Sequence, residues 1–369
     1  MDFIQPDNQN IMKNKLTFLF LLAGLTAAYS QKTENLIIIT YDGLRWQEVF
    51  TGLDSALMNS KDFTKDKDRM SKDFWADSPE QRREKLFPFF WQTVAKQGQL
   101  HGNRQFGSFV NNANPHWFSY PGYNEIFTGY PDSLVNSNDK IENPHENVLE
   151  FIAKQKGFGG KVAAFSSWDV FPYILNEKRS GLLVNAANED LHEGAMNDRI
   201  RLLNEVQHEA PNIIDGIRLD FLTYQMAFEY LKANHPRVLY IAFDETDDFA
   251  HEGQYDNYIN SAHSTDHRLG ELWKYLQSDP FYAGKTTMFL TTDHGRGDAD
   301  KKTWRDHGSK VADCSGIWFA AIGPGVAPTG EAKAAEQLWQ KQYSQTFAKL
   351  LGFDFKTNHP VAEAILLKK

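Results

Sequence analysis

Three apolar runs in this chain each stop at an acidic residue. Residues 36–41 (LIIITY) run into Asp42, residues 238–243 (VLYIAF) into Asp244, and residues 286–292 (TTMFLTT) into Asp293. Short, continuously apolar, β-branched runs of this kind are strands buried on both faces. Two further runs, 161–166 and 317–322, read the same way. Between them lie stretches with helical spacing of apolar residues: 86–97, 148–155, 217–234 and 255–276, a short helix at 123–127, and a closing helix at 331–351 with Gly352 as its stop. Strands alternating with helices imply an α/β fold, with a largely parallel central sheet sandwiched between helices. Ligands of such sheets bind outside the carboxyl ends of the strands. The acids that end these runs therefore belong to one edge, and that edge is where chemistry is expected.

Composition narrows the class. The chain has 369 residues, 41% of them hydrophobic and 14% aromatic, with no low-complexity tract, which excludes a disordered protein. One catalytic domain is expected over residues 31–369, with the charged, aperiodic stretch 55–83 as a surface insertion. The net charge of −9, without a Lys/Arg stripe, argues against a nucleic-acid duplex as partner. A small anionic substrate held by cations remains open. Cys314 is the single cysteine, so neither an intrachain disulfide nor a cysteine-based zinc knuckle can form. At the N-terminus, Lys13 and Lys15 precede an apolar stretch, 16–28, and the small residues of Ala28-Tyr29-Ser30. This pattern predicts a signal peptide over residues 1–30 cleaved before Gln31, with Met12 the better initiator. It implies a secreted or periplasmic protein without a stable membrane anchor. Oligomeric state is not legible.

The residues at the predicted strand ends suit metal ions. Asp247 and His251 are four apart, so one helical turn can aim both at one ion. Asp293-His294 closes another run, and His307 follows thirteen residues later. Asp42 closes the first. Taken singly, each is as often a turn residue, a cap or a surface histidine. Together, three Asp and three His at strand ends form a mixed N/O set suited to two divalent cations, zinc first and manganese as alternative. Asp244, Asp248 and His263 are candidates for supporting those ligands. Ser119 precedes Pro121-Gly122 and the short helix. A hydroxyl at a helix N-terminus sits where a negative oxygen and a phosphate are favoured, although the same serine is also an ordinary cap. Trp117, Phe118, Tyr120 and Tyr123 flank it in sequence, and these with Trp46 can stack on an aromatic leaving group or pack in the core.

These pieces resemble the alkaline phosphatase superfamily, and within it the nucleotide pyrophosphatase/phosphodiesterase branch and related bacterial alkaline phosphatases. The likeness rests on IIITYD-G-L-R ending at Arg45, Ser119-x-Pro121 with Thr128-Gly129, Asp247-x-x-x-His251, TTD-H-G through Gly295, and His307-Gly308, in the family's order from about residue 35 to 353. The resemblance implies that Asp247, His251 and His307 hold one metal. Asp42, Asp293 and His294 hold the second, with Ser119 bridging toward it. Ser119 is then the nucleophile of a phosphoseryl intermediate in a phosphomonoesterase or phosphodiesterase. An asparagine some twenty residues on contacts the phosphoryl group: Asn138 fits, with Asn136 and Asn143 nearby. A phosphomutase, favoured by the closeness of His307 to His294, and a sulfatase are the alternatives. Tyr123 stands four after Ser119 where a sulfatase carries arginine, which argues against the latter.

Overall fold

The computed structural model describes residue 1, residues 32–210 and residues 216–367. The expected signal peptide and the Met12 start fall outside the described residues.

Eleven strands occur among the described residues: β1 (Asn35–Tyr41), β2 (Gly98–His101), β3 (Ser108–Asn111), β4 (Val162–Ser166), β5 (Leu183–Ala186), β6 (Val238–Phe243), β7 (Thr286–Thr292), β8 (Gly316–Ile317), β9 (Phe319–Ile322), β10 (Gly330–Glu331) and β11 (Glu336–Trp339). Eight form the central sheet in the order β10-β2-β9-β7-β1-β6-β4-β5, and β11-β3-β8 form a small second sheet. β7, β1, β6, β4 and β5 run parallel, while β9 is antiparallel to both β7 and β2. The fold is therefore the α/β arrangement read from the sequence, with an antiparallel departure at one side.

Side-chain alternation explains why these strands carry no polar face. In β1, Ile37, Ile39 and Tyr41 join one buried apolar cluster and Leu36 and Ile38 join the other, so both faces are covered. Every residue of β1, β6 and β7 is buried. The register then fixes the edge that matters. Tyr41 lies opposite both Phe243 of β6 and Thr292 of β7, so all three strands end level.

Several expectations are corrected. The closing helix 331–351 is instead β10, β11, a 3-10 turn (Gln340–Gln342) and a helix over Tyr343–Leu350. Residues 335–342 have helix-forming composition, but pairing of β11 with β3 overrides that local preference. Gly352 does stop the chain's last helix, at φ 86° with its N–H donating to Lys349 O. The run 317–322 breaks at Trp318, with β8 in the small sheet and β9 in the large one. The stretch 55–83, expected as a surface insertion, carries regular structure that its aperiodic sequence did not show. It holds helices over Ser55–Asn59, Lys67–Phe74 and Pro79–Leu86, capped by Asp54, Asp66 and Ser78, with Leu57, Met70, Phe74 and Leu86 buried. Helices of five to eight residues bury too few positions to show a period.

Candidate active site

The level strand ends gather the six Asp and His residues into two groups. In each, the ligand atoms lie within 4.8 Å of one another: Asp247, His251 and His307 in one, Asp42, Asp293 and His294 in the other. β6 continues directly into the helix Glu245–His251, which sets Asp247 and His251 one turn apart, with His251 Nε2 3.0 Å from Asp247 Oδ2. His307 arrives just after a 3-10 turn (Lys301–Arg305), its Nε2 2.9 Å from His251 Nε2. In the second group, His294 Nε2 stands 3.2 Å from Asp42 Oδ1 and 3.5 Å from Asp293 Oδ2. Asp247 joins the two groups, because its Oδ1 is 3.7 Å from both His294 Nε2 and His307 Nε2.

Ser119 opens the helix Ser119–Thr128, and its Oγ is 3.4 Å from His294 Nε2. Two residues of the same helix dock it onto the second group. Tyr123 donates its hydroxyl to Asp42 Oδ2 at 3.0 Å. Gly122 lies so close to the strand end that a Cβ there would sit 2.6 Å from Asp293 O.

The donor chemistry fits divalent cations. Asp42 Oδ1, Asp293 Oδ2 and His307 Nδ1 are buried with no hydrogen-bond partner, which is costly unless something positive compensates. The facing Nε2 atoms of His251 and His307 converge with Asp247 on one point. Crowding of acids shows in their acidities. Burial, and then the neighbouring Asp42, push the Asp293 carboxyl up to about 8. Burial would depress His294, but the charge of Asp293 and then the facing Asp42 carboxylate raise it to about 9. Burial, followed by the charges of His294 and Arg296, holds His307 far below the usual range.

The remaining candidates separate. Asn138 accepts the Tyr120 N–H through Oδ1 at 3.0 Å, which places it at the N-terminus of the nucleophile helix. Asn143 is buried and instead donates to Asn124 Oδ1 farther along that helix, whereas Asn136 and Asn138 are both exposed. Asp244 and Asp248 are both held above the ordinary carboxyl range, by burial first, Asp248 to about 6. His263 is engaged elsewhere, with Nδ1 2.7 Å from Leu86 O and its ring against Phe74, so its expected supporting role is corrected.

Two residues went unread in the sequence. Arg296, 1% exposed, donates from Nε to Gly43 O (3.2 Å), from Nη1 to Arg305 O (2.6 Å), and from Nη2 to Asp247 O (3.1 Å) and Asp247 Oδ1. It thereby ties the segments that carry Asp42, Asp247 and His307. Its signal was a basic residue two positions after the Asp-His pair. Glu125 is fully buried and accepts the N–H groups of Ala113, Asn114 and Lys341, together with the Asn114 side-chain amide. It pins the loop leading into Ser119, and an acid amid an apolar helix was its signal.

The family model for type I phosphodiesterase / nucleotide pyrophosphatase matches residues 50–315, nearly three quarters of the chain. This chain belongs to that family. It is thus placed among hydrolases of phosphoester or related sulfate ester bonds. The matched span holds Ser119, Asp247, His251, Asp293, His294 and His307, while Asp42 precedes it. No curated protein sequence matches. Among solved structures, the alkaline phosphatase PafA superposes with a TM-score of 0.60 at 10% identity, over 91% of this chain and 99% of that one. The lipoteichoic acid synthase LtaP from Listeria monocytogenes gives 0.53 at 15% identity, covering 92% and 75%. A putative sulfatase from Bacteroides thetaiotaomicron gives 0.55 at 11% identity, covering 88% and 72%. These likenesses establish the alkaline phosphatase-like fold.

Proposed function

We propose that this chain is an exported phosphoric ester hydrolase, a phosphomonoesterase or phosphodiesterase, that acts on small phosphate esters through Ser119. The observation that carries this reading is the pair of Asp/His groups meeting at Asp247, with the Ser119 hydroxyl beside His294. Asp247, His251 and His307 would hold one divalent cation and Asp42, Asp293 and His294 another, zinc or manganese by donor type. Such cations would supply Lewis acidity, which neutralises phosphoryl oxygens and lowers the pKa of a nearby hydroxyl.

The chain's own residues do the rest. Ser119 Oγ attacks phosphorus, the P–O bond to the alcohol breaks, and the alcohol leaves; water then cleaves the phosphoserine. The N-terminus of the nucleophile helix favours the negative phosphoryl group. Asn138 has Oδ1 taken by the Tyr120 N–H, which turns its amide N–H groups into donors for a phosphoryl oxygen. Export rests on residues 1–30. Among the described residues, no helix is long and apolar enough to cross a membrane.

The test is hydrolysis of p-nitrophenyl phosphate, bis(p-nitrophenyl) phosphate and p-nitrophenyl sulfate, before and after chelation. Phosphate ester turnover abolished by chelator and restored by zinc or manganese is expected. Turnover of the sulfate alone, or chelator-resistant turnover, refutes the reading.

A further inference from the structure

The aromatic residues around Ser119 do not share one fate. Tyr120 and Tyr123 are buried in the apolar core and Trp46 packs against it. Trp117 belongs to neither cluster, is only half-buried, and has no ring partner and no side-chain hydrogen bond among the described residues. It also sits at φ 55°, in the left-handed region that bulky residues avoid. The surroundings enforce that conformation. Asn114 Oδ1 accepts the N–H groups of His116 (3.0 Å) and Trp117 (3.1 Å), and Glu125 holds Asn114 in turn. On one side the loop reaches His116 O, which a Cβ on Gly308 would meet at 3.8 Å, next to His307. On the other, His116 Nε2 lies 2.9 Å from Ser133 O, in the segment leading to Asn138. Trp117 therefore stands on the rim of the site, two residues before the nucleophile. A strained tryptophan outside both apolar clusters is not accounted for by core packing. Strain maintained by surrounding structure points to function.

We propose that the Trp117 indole is the stacking surface for a flat aromatic leaving group, aryl or nucleobase, on the phosphate ester. This rests on the reading of Ser119 as the nucleophile of a phosphoester hydrolase. Stacking on the leaving group holds substrate and transition state alike, so it acts on KM rather than on kcat.

The test compares the metal-loaded protein with Trp117→Gly and Trp117→Phe, using phenyl phosphate and glycerol phosphate as substrates. Glycine adopts the left-handed conformation freely, so Trp117→Gly removes the indole without adding backbone strain. Its kcat/KM for phenyl phosphate relative to glycerol phosphate should fall about 5- to 100-fold through KM, the range of one base–aromatic stack. Trp117→Phe should keep most of the preference. Equal losses on both substrates in Trp117→Gly overturn the proposal by making Trp117 a structural residue. Failure of the wild type to hydrolyse these monoesters and the corresponding methyl diesters removes the nucleophile reading itself, and the proposal with it.

Discussion

Gly122→Ala sets two effects of opposite sign against each other. Gly122 lies within the Ser119–Thr128 helix, and alanine there gains about 1 kcal/mol of helix propensity. Its Cβ would meet Asp293 O at 2.6 Å, however, where ordinary contact begins near 3.4 Å. That carbonyl cannot retreat easily, because Asn112 Nδ2 and Gln340 Nε2 both donate to it at 2.7 Å. The helix must therefore give, by up to about 0.8 Å. Overpacking of this kind costs about 1–3 kcal/mol, so the net change in stability is a loss of roughly 0–2 kcal/mol. Activity should suffer far more. Displacing a reacting group by about 1 Å can cost about 100-fold, and Ser119 rides on this helix. The assay is kcat/KM on p-nitrophenyl phosphate together with a calorimetric melt. A variant more stable than the wild type and equally active would refute the packing argument.

Further outcomes follow from individual contacts. Tyr123→Phe removes the hydroxyl that orients Asp42. It should weaken cation binding about 10- to 100-fold, as loss of a ligand-orienting partner does, measured by chelator competition. Asp266 is fully buried and accepts the N–H groups of Phe89 and Phe90; burial pushes its carboxyl up to about 7. Its proton is held in the folded state and lost from the unfolded chain between about pH 4 and 7, so stability is full below that window and falls as pH rises through it. Melting temperatures of the wild type should drop across this range, and those of Asp266→Asn should drop less. Parallel profiles would contradict the assignment. Glu125→Gln removes an acceptor from the loop before Ser119. It should cost about 1–3 kcal/mol, the penalty for unsatisfied buried N–H groups, read by thermal melts.

The sequence disclosed most where a single physical cause acted alone. β1, β6 and β7 were legible because burial on both faces demands unbroken apolar runs, and Asp42, Asp244 and Asp293 stood out because acids end them, with Asp247 three residues on. Tertiary pairing hid the rest. β2, β3 and β5, only four residues each, carry no period to read. Glu336–Trp339 looks helical and becomes a strand through β3. The convergence of His307 on His251 depended on a loop path that spacing does not encode. Arg296 was passed over for a related reason: apart from the Asp247 carboxylate, its partners are backbone carbonyls of residues 9 to 253 positions away. Asn138 and Asn143 touch one helix at different points, at Tyr120 and at Asn124, which spacing alone does not tell apart.

The central claim is that Ser119 takes up the phosphoryl group beside the paired Asp/His groups. Acid-quenching the protein during turnover of a phosphate ester, then mapping phosphate by peptide mass spectrometry, tests it directly. The account predicts phosphate on Ser119 that disappears in Ser119→Ala and after chelation. Full turnover by Ser119→Ala, or label on any other residue, would contradict it.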